Sequence, residues 1–504
     1  MKKFLSLILL FALSLGLQAA DVKVDIRKMT EGATGNQRFP VIAENAQGHR
    51  IYAYRGSDRY AHFYLYKNGT WSNGGRIPGS PQFDDYWYSD IVADSTGTFH
   101  FVCEDADSAM YYGYFENGAW APMRKIDMRH EASLALGVQS NDTIVLVSAM
   151  KTMSNKGLTK DVILGTKLKG EKEFSRWKNI TDDVESSTMV DVAIDAKDNV
   201  WIAYKGAYFK DGGETLQATL LGLNKSYEQF SWKNVSGQDN AWCWYPRVAV
   251  NSEGQVMVTW MMSQEQLYFY RLYDSNTDKW TEVKPLISGP MRPWPTMYNK
   301  ILARGTDFYW VGLGGDRYVR LYKYNAEKGE WSKLADVSNA GANWCSATNA
   351  ADSILISWDS LAEPTSCFLT TVTADFKPII RIQPVANLKV EKHVERGFFH
   401  GYTLNALTWE ANPINSENQI VIAAQRVYRK LRTEEASQWV HLVELAADVR
   451  AYEDRNVPAG SDYVYAVTCV DDKGVESPII DDGQGASTAA GTFEHRIDAE
   501  PKNR

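Results

Sequence analysis

Two sets of residues carry the chemistry this chain is equipped for. Arg38, Trp87, His130, Glu131, Asp191, Trp244, Tyr245, Arg247, Arg292, Trp294 and Trp344 recur at the starts of short apolar segments. Arg55, Asp58, Arg59, Glu104, Asp105, Asp107, Glu265, Asp316, Arg317 and Glu363 follow the segments that come next. Aromatic faces stack on the C–H surfaces of pyranose rings, and guanidinium and carboxylate groups bond hydroxyls or acidic substituents. A surface mixing these groups suits a sugar. Plainer roles compete: Arg38 pairing with an acidic neighbour, and Trp242, Trp244, Trp294 and Trp344 packing between structural units. The acidic run Glu104-Asp105-Ala106-Asp107 has the oxygen content of a calcium loop, and equally that of a solvated turn. For proton transfer the repeated region offers His62, His100 and His130 beyond the turn residue His49.

The elements that must position these groups announce themselves by period. Trp71, Trp120, Trp177, Trp232, Trp280 and Trp331 are separated by 49, 57, 55, 48 and 51 residues. Gly48, Gly97, Asp142, Asn199, Gly254, Gly305 and Asp352 keep step as turn residues. A period near fifty residues indicates an array of supersecondary units. Each unit reads as a strand, a tight turn, a second strand, an aromatic third strand such as Phe63-Tyr-Leu-Tyr66, and a Trp-bearing fourth. Four short strands with Gly/Asn turns, repeated radially, predict an all-β chain built on a seven-bladed β-propeller over residues 21–380. The seventh unit lacks its own Trp-bearing strand. Residues 22–29 are expected to supply it and close the ring, which removes open sheet edges. In such a ring the first strands line the channel, and the periodic tryptophans belong to the outermost strands.

The N-terminus has Lys2 and Lys3, an apolar run from Phe4 to Leu17 and Gln18-Ala19-Ala20, the pattern of a secretory signal peptide over residues 1–20. Export to the periplasm, the cell surface or the medium is expected. The net charge of −8, with no basic stripe, argues against a nucleic-acid partner. Five cysteines include no Cys-x-x-Cys pair, so no zinc site is expected. Cys345 and Cys367 fall in one repeat, where they either pair across neighbouring strands or act as small buried hydrophobes.

The segment Asn68-Gly69-Thr70-Trp71 resembles the Asp-box turn of sialidase-like (BNR-repeat) propellers, with Tyr66 where Ser or Thr would stand. Arg38-Phe39-Pro40 resembles their Arg-Ile-Pro motif. The resemblance covers residues 22–380 and implies a propeller fold. Sialidase-like hydrolysis would use an arginine clamp from Arg38, Arg247 and Arg292 or Arg317, a proton donor at Asp58, and a nucleophile at Tyr245 or Tyr298. Polysaccharide lyases also use seven-bladed propellers, so that chemistry stands beside hydrolysis and plain binding. The ligand surface expected under any of the three comprises Arg38, Arg55, Trp87, Trp244, Tyr245, Arg247, Arg292, Trp294, Arg317 and Trp344. Residues 384–488, with Trp409, Val427-Tyr-Arg-Lys430 and Asp462-Tyr-Val-Tyr-Ala-Val467, resemble a fibronectin type III domain. Residues 489–504 read as a polar tail. The partner expected is a carbohydrate or a surface protein, with no cofactor beyond calcium.

Overall fold

The computed structural model describes residues 22–83, 88–154, 157–181, 186–210, 213–237, 242–262, 267–287, 299–374, 376, 382–396, 401–417, 420–433, 439–458, 461–472, 476, 477 and 479. The signal segment, the polar tail, Trp87, Glu265, Arg292, Trp294 and Tyr298 lie outside the described residues, as do the side chains of His130 and Glu131.

The chain is nearly all β. The first sheet runs Arg38–Glu44, Arg50–Arg55, Ala61–Lys67 and Thr70–Arg76, each strand antiparallel to the last. Its first hairpin forms because Asn45 Oδ1 accepts the amides of Gln47 and His49, while Gly48 takes a left-handed φ of 75°. Asp94, Asp195 and Asn251 close later hairpins in the same way. The second sheet holds Ser89–Ala93, Phe99–Glu104, Ala109–Glu116 and Ala119–Trp120, with the start of the long strand Arg124–Val138 at its edge. The remainder of that strand opens the third sheet, followed by Ile144–Ser154, Gly157–Lys167 and Arg176–Asn179. The fourth is Ser187–Ile194, Val200–Lys210, Gly213–Leu223 and Gln229–Asn234. The fifth is Cys243–Val250, Gln255–Met262, Leu267–Asp274 and Lys279–Trp280, with Lys284–Pro285 alongside. The sixth is Asn299–Arg304, Asp307–Leu313, Val319–Asn325 and Glu330–Asp336.

A further sheet combines Ala342–Asn349, Ser353–Ser360 and Cys367–Thr373 with the N-terminal strand Lys23–Lys28, which pairs with Cys367–Thr373 from Lys23↔Thr373 to Lys28↔Phe368. The first strand of each sheet lies against the first strands on either side, and Ala342–Asn349 lies against Arg38–Glu44. This is the arrangement of a β-propeller. The seam is tied by Trp344 Nε1 and Ser357 Oγ, both donating to the Pro40 carbonyl, and by Cys367 N donating to Thr30 Oγ1.

Apolar clusters fill the space between neighbouring sheets. Four second strands each bury a tryptophan completely: Trp201, Trp260, Trp310 and Trp358. The six periodic tryptophans stand on fourth strands, where Trp232 remains 47% exposed. Pairing of Cys345 with Cys367 does not occur. They flank Ser353–Ser360, opposite Trp358 and Asp359 respectively, so a whole strand separates them; both are buried free thiols.

The C-terminal part is a pair of three-stranded antiparallel sheets. One holds Ala386–Arg396, Gly401–Glu410 and Ala451–Val457; the other holds Val440–Ala446, Ile422–Leu431 and Tyr463–Asp471. Leu388, Leu407, Trp409, Val427, Tyr465 and Val467 form their shared core, and Trp409 Nε1 donates to Gln425 Oε1 at 2.7 Å.

Trp358 tests this packing. Its ring stacks on Phe368 at 4.2 Å and its Nε1 donates to Thr370 Oγ1. Trp358→Ala is expected to lower unfolding free energy by roughly 3–5 kcal/mol, read from the urea midpoint. A loss under about 1 kcal/mol would contradict this placement.

Candidate functional site

A backbone irregularity repeats at the start of the first strands. The ladder slips between Arg38 and Val41, between Thr188 and Asp191, and between Trp244 and Arg247. At each slip a non-glycine residue is left-handed: Phe39 (φ 57°), Met189 (φ 56°) and Tyr245 (φ 50°). Such a conformation costs on the order of 1–3 kcal/mol, and burial of all three side chains holds it in place. A bulge bends its strand and re-aims the residues around it.

Beyond the bulges, the strands bring charge into the channel. Counting back three residues from the hairpin end of the first strand reaches Asp90, Asp191 and Arg247 in the second, fourth and fifth sheets. In the sixth sheet, whose hairpin has one more rung, the matching residue is Lys300. Lys300 Nζ meets Asp191 Oδ1 at 3.1 Å and lies in the fields of Asp90 and Arg247. Each carboxylate also ties down the next sheet: Asp90 Oδ2 accepts Leu136 N at 2.9 Å, and Asp191 Oδ2 accepts Val248 N at 3.0 Å. Burial raises the Asp90 pKa, partly countered by Lys300 and the Leu136 amide. Burial also presses the Lys300 pKa down, but Asp191 and Asp90 together outweigh it and the net direction is up. Lys300 is therefore a charged ammonium neutralised from two sides. Arg247 differs: Nε donates to the Asn299 carbonyl at 3.0 Å and Nη1 to Pro246 O at 3.5 Å, and among the described residues no carboxylate pairs with it.

The mouth above this layer is uneven. Second and third strands of 11 residues each in the third and fourth sheets compare with 6–8 in the others. The extra 3–5 residues raise a wall roughly 10–16 Å high on the face that carries the bulges. At its foot Trp244 is half-buried, with Lys205 Nζ 4.3 Å from the ring centroid. Across the ring, Arg38 Nη2 reaches Glu363 Oε1 at 3.4 Å while its Nε is buried with no hydrogen-bond partner among the described residues. Ser89 Oγ and Thr188 Oγ1, also near the starts of first strands, are likewise buried with no hydrogen-bond partner among the described residues. Asp58 accepts from His62 Nε2 at 2.9 Å at the rim of the first sheet. Arg317 is half-buried in the sixth sheet's loop, with a left-handed φ of 65°.

Asp191 and Arg247 lie inside first strands, at the level of the channel layer. Other residues expected at this surface sit elsewhere. Trp344 is buried, its ring edge-on to Phe39 at 5.3 Å and its Nε1 bonded to Pro40 O at 3.1 Å, so it packs the seam. Tyr245 and Arg55 are also buried. His100 is buried between Asp94 (3.1 Å) and the Tyr112 hydroxyl (2.8 Å), at the hairpin end of its sheet. The acidic run is spent on its own turn: Asp105 Oδ1 accepts the amides of Asp107 and Ala109, and buried Glu104 accepts that of Tyr88. Among the described residues no group of three or more His, Cys, Asp or Glu is assembled to hold a metal. Asp90, Lys300 and Asp359 were not anticipated. Their signal was available, a single charge inside an apolar segment such as Asp90-Ile-Val-Ala or Lys300-Ile-Leu-Ala.

Lys300→Met is expected to leave the buried Asp191 and the half-buried Asp90 uncompensated and to cost roughly 3–5 kcal/mol at pH 8. Because the Asp90 pKa is already raised, acidification to pH 5 is expected to recover part of that loss in melting temperature. A loss equal at both pH values would show that Lys300 does not neutralise the layer.

No protein-family model matches the chain, and no curated protein matches its sequence. Solved structures resemble it in strand arrangement. A polysaccharide lyase of family PL25, an ulvan lyase bound to -[GlcA(1-4)Rha3S]-, has a TM-score of 0.49 at 12% identity, covering 70% of this chain and 97% of its own. The polysaccharide lyase Uly1 has a TM-score of 0.46 at 8% identity, covering 68% and 90%. The GH93 α-L-arabinofuranosidase of Fusarium graminearum has a TM-score of 0.39 at 10% identity, covering 57% and 92%. At these scores no residue role is transferred from any of them.

Proposed function

We propose that this chain is an exported seven-bladed β-propeller with a C-terminal fibronectin type III-like sandwich, and that it recognises a carbohydrate bearing an acidic group at the walled mouth of the channel. Arg247 carries this reading. It is a half-buried guanidinium whose partners among the described residues are backbone carbonyls, beside a lysine that two aspartates already neutralise. A cation so placed favours an incoming carboxylate or sulfate, since a charge-assisted fork is worth more than a neutral hydrogen bond. Trp244, half-buried at the foot of the wall, offers a face for stacking.

The Asp58–His62 pair is the one observation that favours glycan-active enzyme chemistry, because it supplies a proton-transfer couple at the rim. Burial of Tyr245 weighs against a sialidase-like nucleophile there.

An array of neutral, uronate, sulfated and sialylated oligosaccharides is expected to show binding confined to acidic members. Arg247→Ala is expected to weaken that binding by roughly 10–100-fold, the equivalent of one charge-assisted bond, with the melting temperature little changed. An unchanged profile in this variant would refute the assignment. Release of sialic acid, or new absorbance from an unsaturated uronate, would identify the protein as an enzyme instead of a binder.

A further inference from the structure

One buried carboxylate holds the place where the ring is sewn shut. Asp359, on the second strand of the last sheet, is fully buried. Its Oδ1 accepts Trp344 N at 2.8 Å and its Oδ2 accepts Phe39 N at 3.1 Å. Trp344 belongs to the last sheet and Phe39 to the first, so the two oxygens bridge the seam. Both amides lie at ladder slips, between Ala342 and Trp344 and between Arg38 and Val41. Phe39 is left-handed and precedes Pro40, a position where extended backbone is the rule. The bridge therefore holds a strained bulge, and the residue just before that bulge is Arg38, at the mouth.

The groups facing Asp359 come from every strand packed on it. Arg38 on the first strand of the first sheet attracts it. Tyr52 on the adjacent strand, Cys345 on one neighbouring strand and Cys367 on the other lie in its field. Burial pushes the Asp359 carboxyl up to about 7, against the pull of the Phe39 and Trp344 amides and of Arg38.

We infer that Asp359 is a positioning residue that sets Arg38 at the mouth and makes its hold on an acidic ligand depend on pH. Above neutrality the ionised carboxylate joins Glu363 in drawing electrostatically on the Arg38 guanidinium. Below it the carboxyl is neutral and only the exposed Glu363 contests Arg38 with the ligand, whose own uronate groups stay ionised down to about pH 4. The sign for stability follows from the raised pKa. The folded state holds this proton more tightly than the unfolded chain does. That stabilisation is full below about pH 4 and is lost as pH rises through about 7.

The ligand half of this inference rests on the carbohydrate reading, and the seam half does not. Calorimetric titration with tri-galacturonate at pH 6 and pH 8 is expected to show several-fold tighter binding at pH 6 in the wild type, and no such change in Asp359→Asn. Equal pH dependence in both proteins would overturn the role of Asp359. Binding by neither protein would overturn the acidic-ligand reading and the Arg38 role with it. The seam is then decided separately. The melting temperature of Asp359→Asn relative to wild type is expected to move in the variant's favour between pH 5 and pH 8. Amide exchange at Phe39 and Trp344 is expected to be faster in the variant. Parallel thermal profiles with unchanged exchange would overturn the latch whatever the sugars do.

Discussion

The ring exists only because its last sheet borrows a strand. The third strand of that sheet, Cys367–Thr373, would end as an open edge, and Lys23–Lys28 covers it over its whole length. Closure fixes the spacing of every first strand, since each must touch two neighbours at once. A slip anywhere would move all the inward residues of that strand to the other face, because the side-chain period is two. The channel layer and the mouth therefore inherit their geometry from a pairing formed by opposite ends of the propeller region.

Inside the ring, burial and charge oppose each other. Apolar contacts between sheets supply most of the driving force, with Trp201, Trp260, Trp310 and Trp358 fully withdrawn from water. Charges on the inner strands cost desolvation, so each is compensated. Asp90 and Asp191 take a backbone amide from the adjoining sheet and share Lys300, and Asp359 takes amides from both sides of the seam. The carboxylates thereby join sheets that share no ladder bonds at those points. Among the described residues Arg247 has no carboxylate partner and Arg38 only the exposed Glu363, and both face the side walled by the long hairpins. Local strain at Phe39, Met189 and Tyr245 falls on the same side, as is common where a surface is shaped for a ligand.

How much of this was legible in the sequence depended on the kind of signal. Period and turn chemistry carried the four-stranded sheets, because Asn45-Ala-Gln-Gly48 and Asn251-Ser-Glu-Gly254 state their turns locally. The periodic tryptophans were readable as outer-strand residues for the same reason. The site was harder. Trp344 and Tyr245 look like surface aromatics when judged by their position near a strand start, and a bulge turns them inward. Arg247 was legible as a first-strand residue, in Pro246-Arg-Val-Ala-Val250, but the ladder slip just before it left no mark in composition. Asp90 and Lys300 were missed because a lone charge in an apolar strand carries meaning only once register puts it beside its partner. Cys345 and Cys367 seemed close in sequence, and the strand between them decides the matter.

The central claim is that a carbohydrate sits on the face of the bulges and long hairpins. Hydrogen-exchange mass spectrometry with a saturating acidic oligosaccharide tests it most directly. The account predicts new protection in the segments around Arg38–Val41, Thr188–Asp191 and Trp244–Arg247, with the hairpin turns at Asn45–His49 and Asp94–Thr98 unchanged. Protection confined to those turns, or to the C-terminal sandwich, would contradict it.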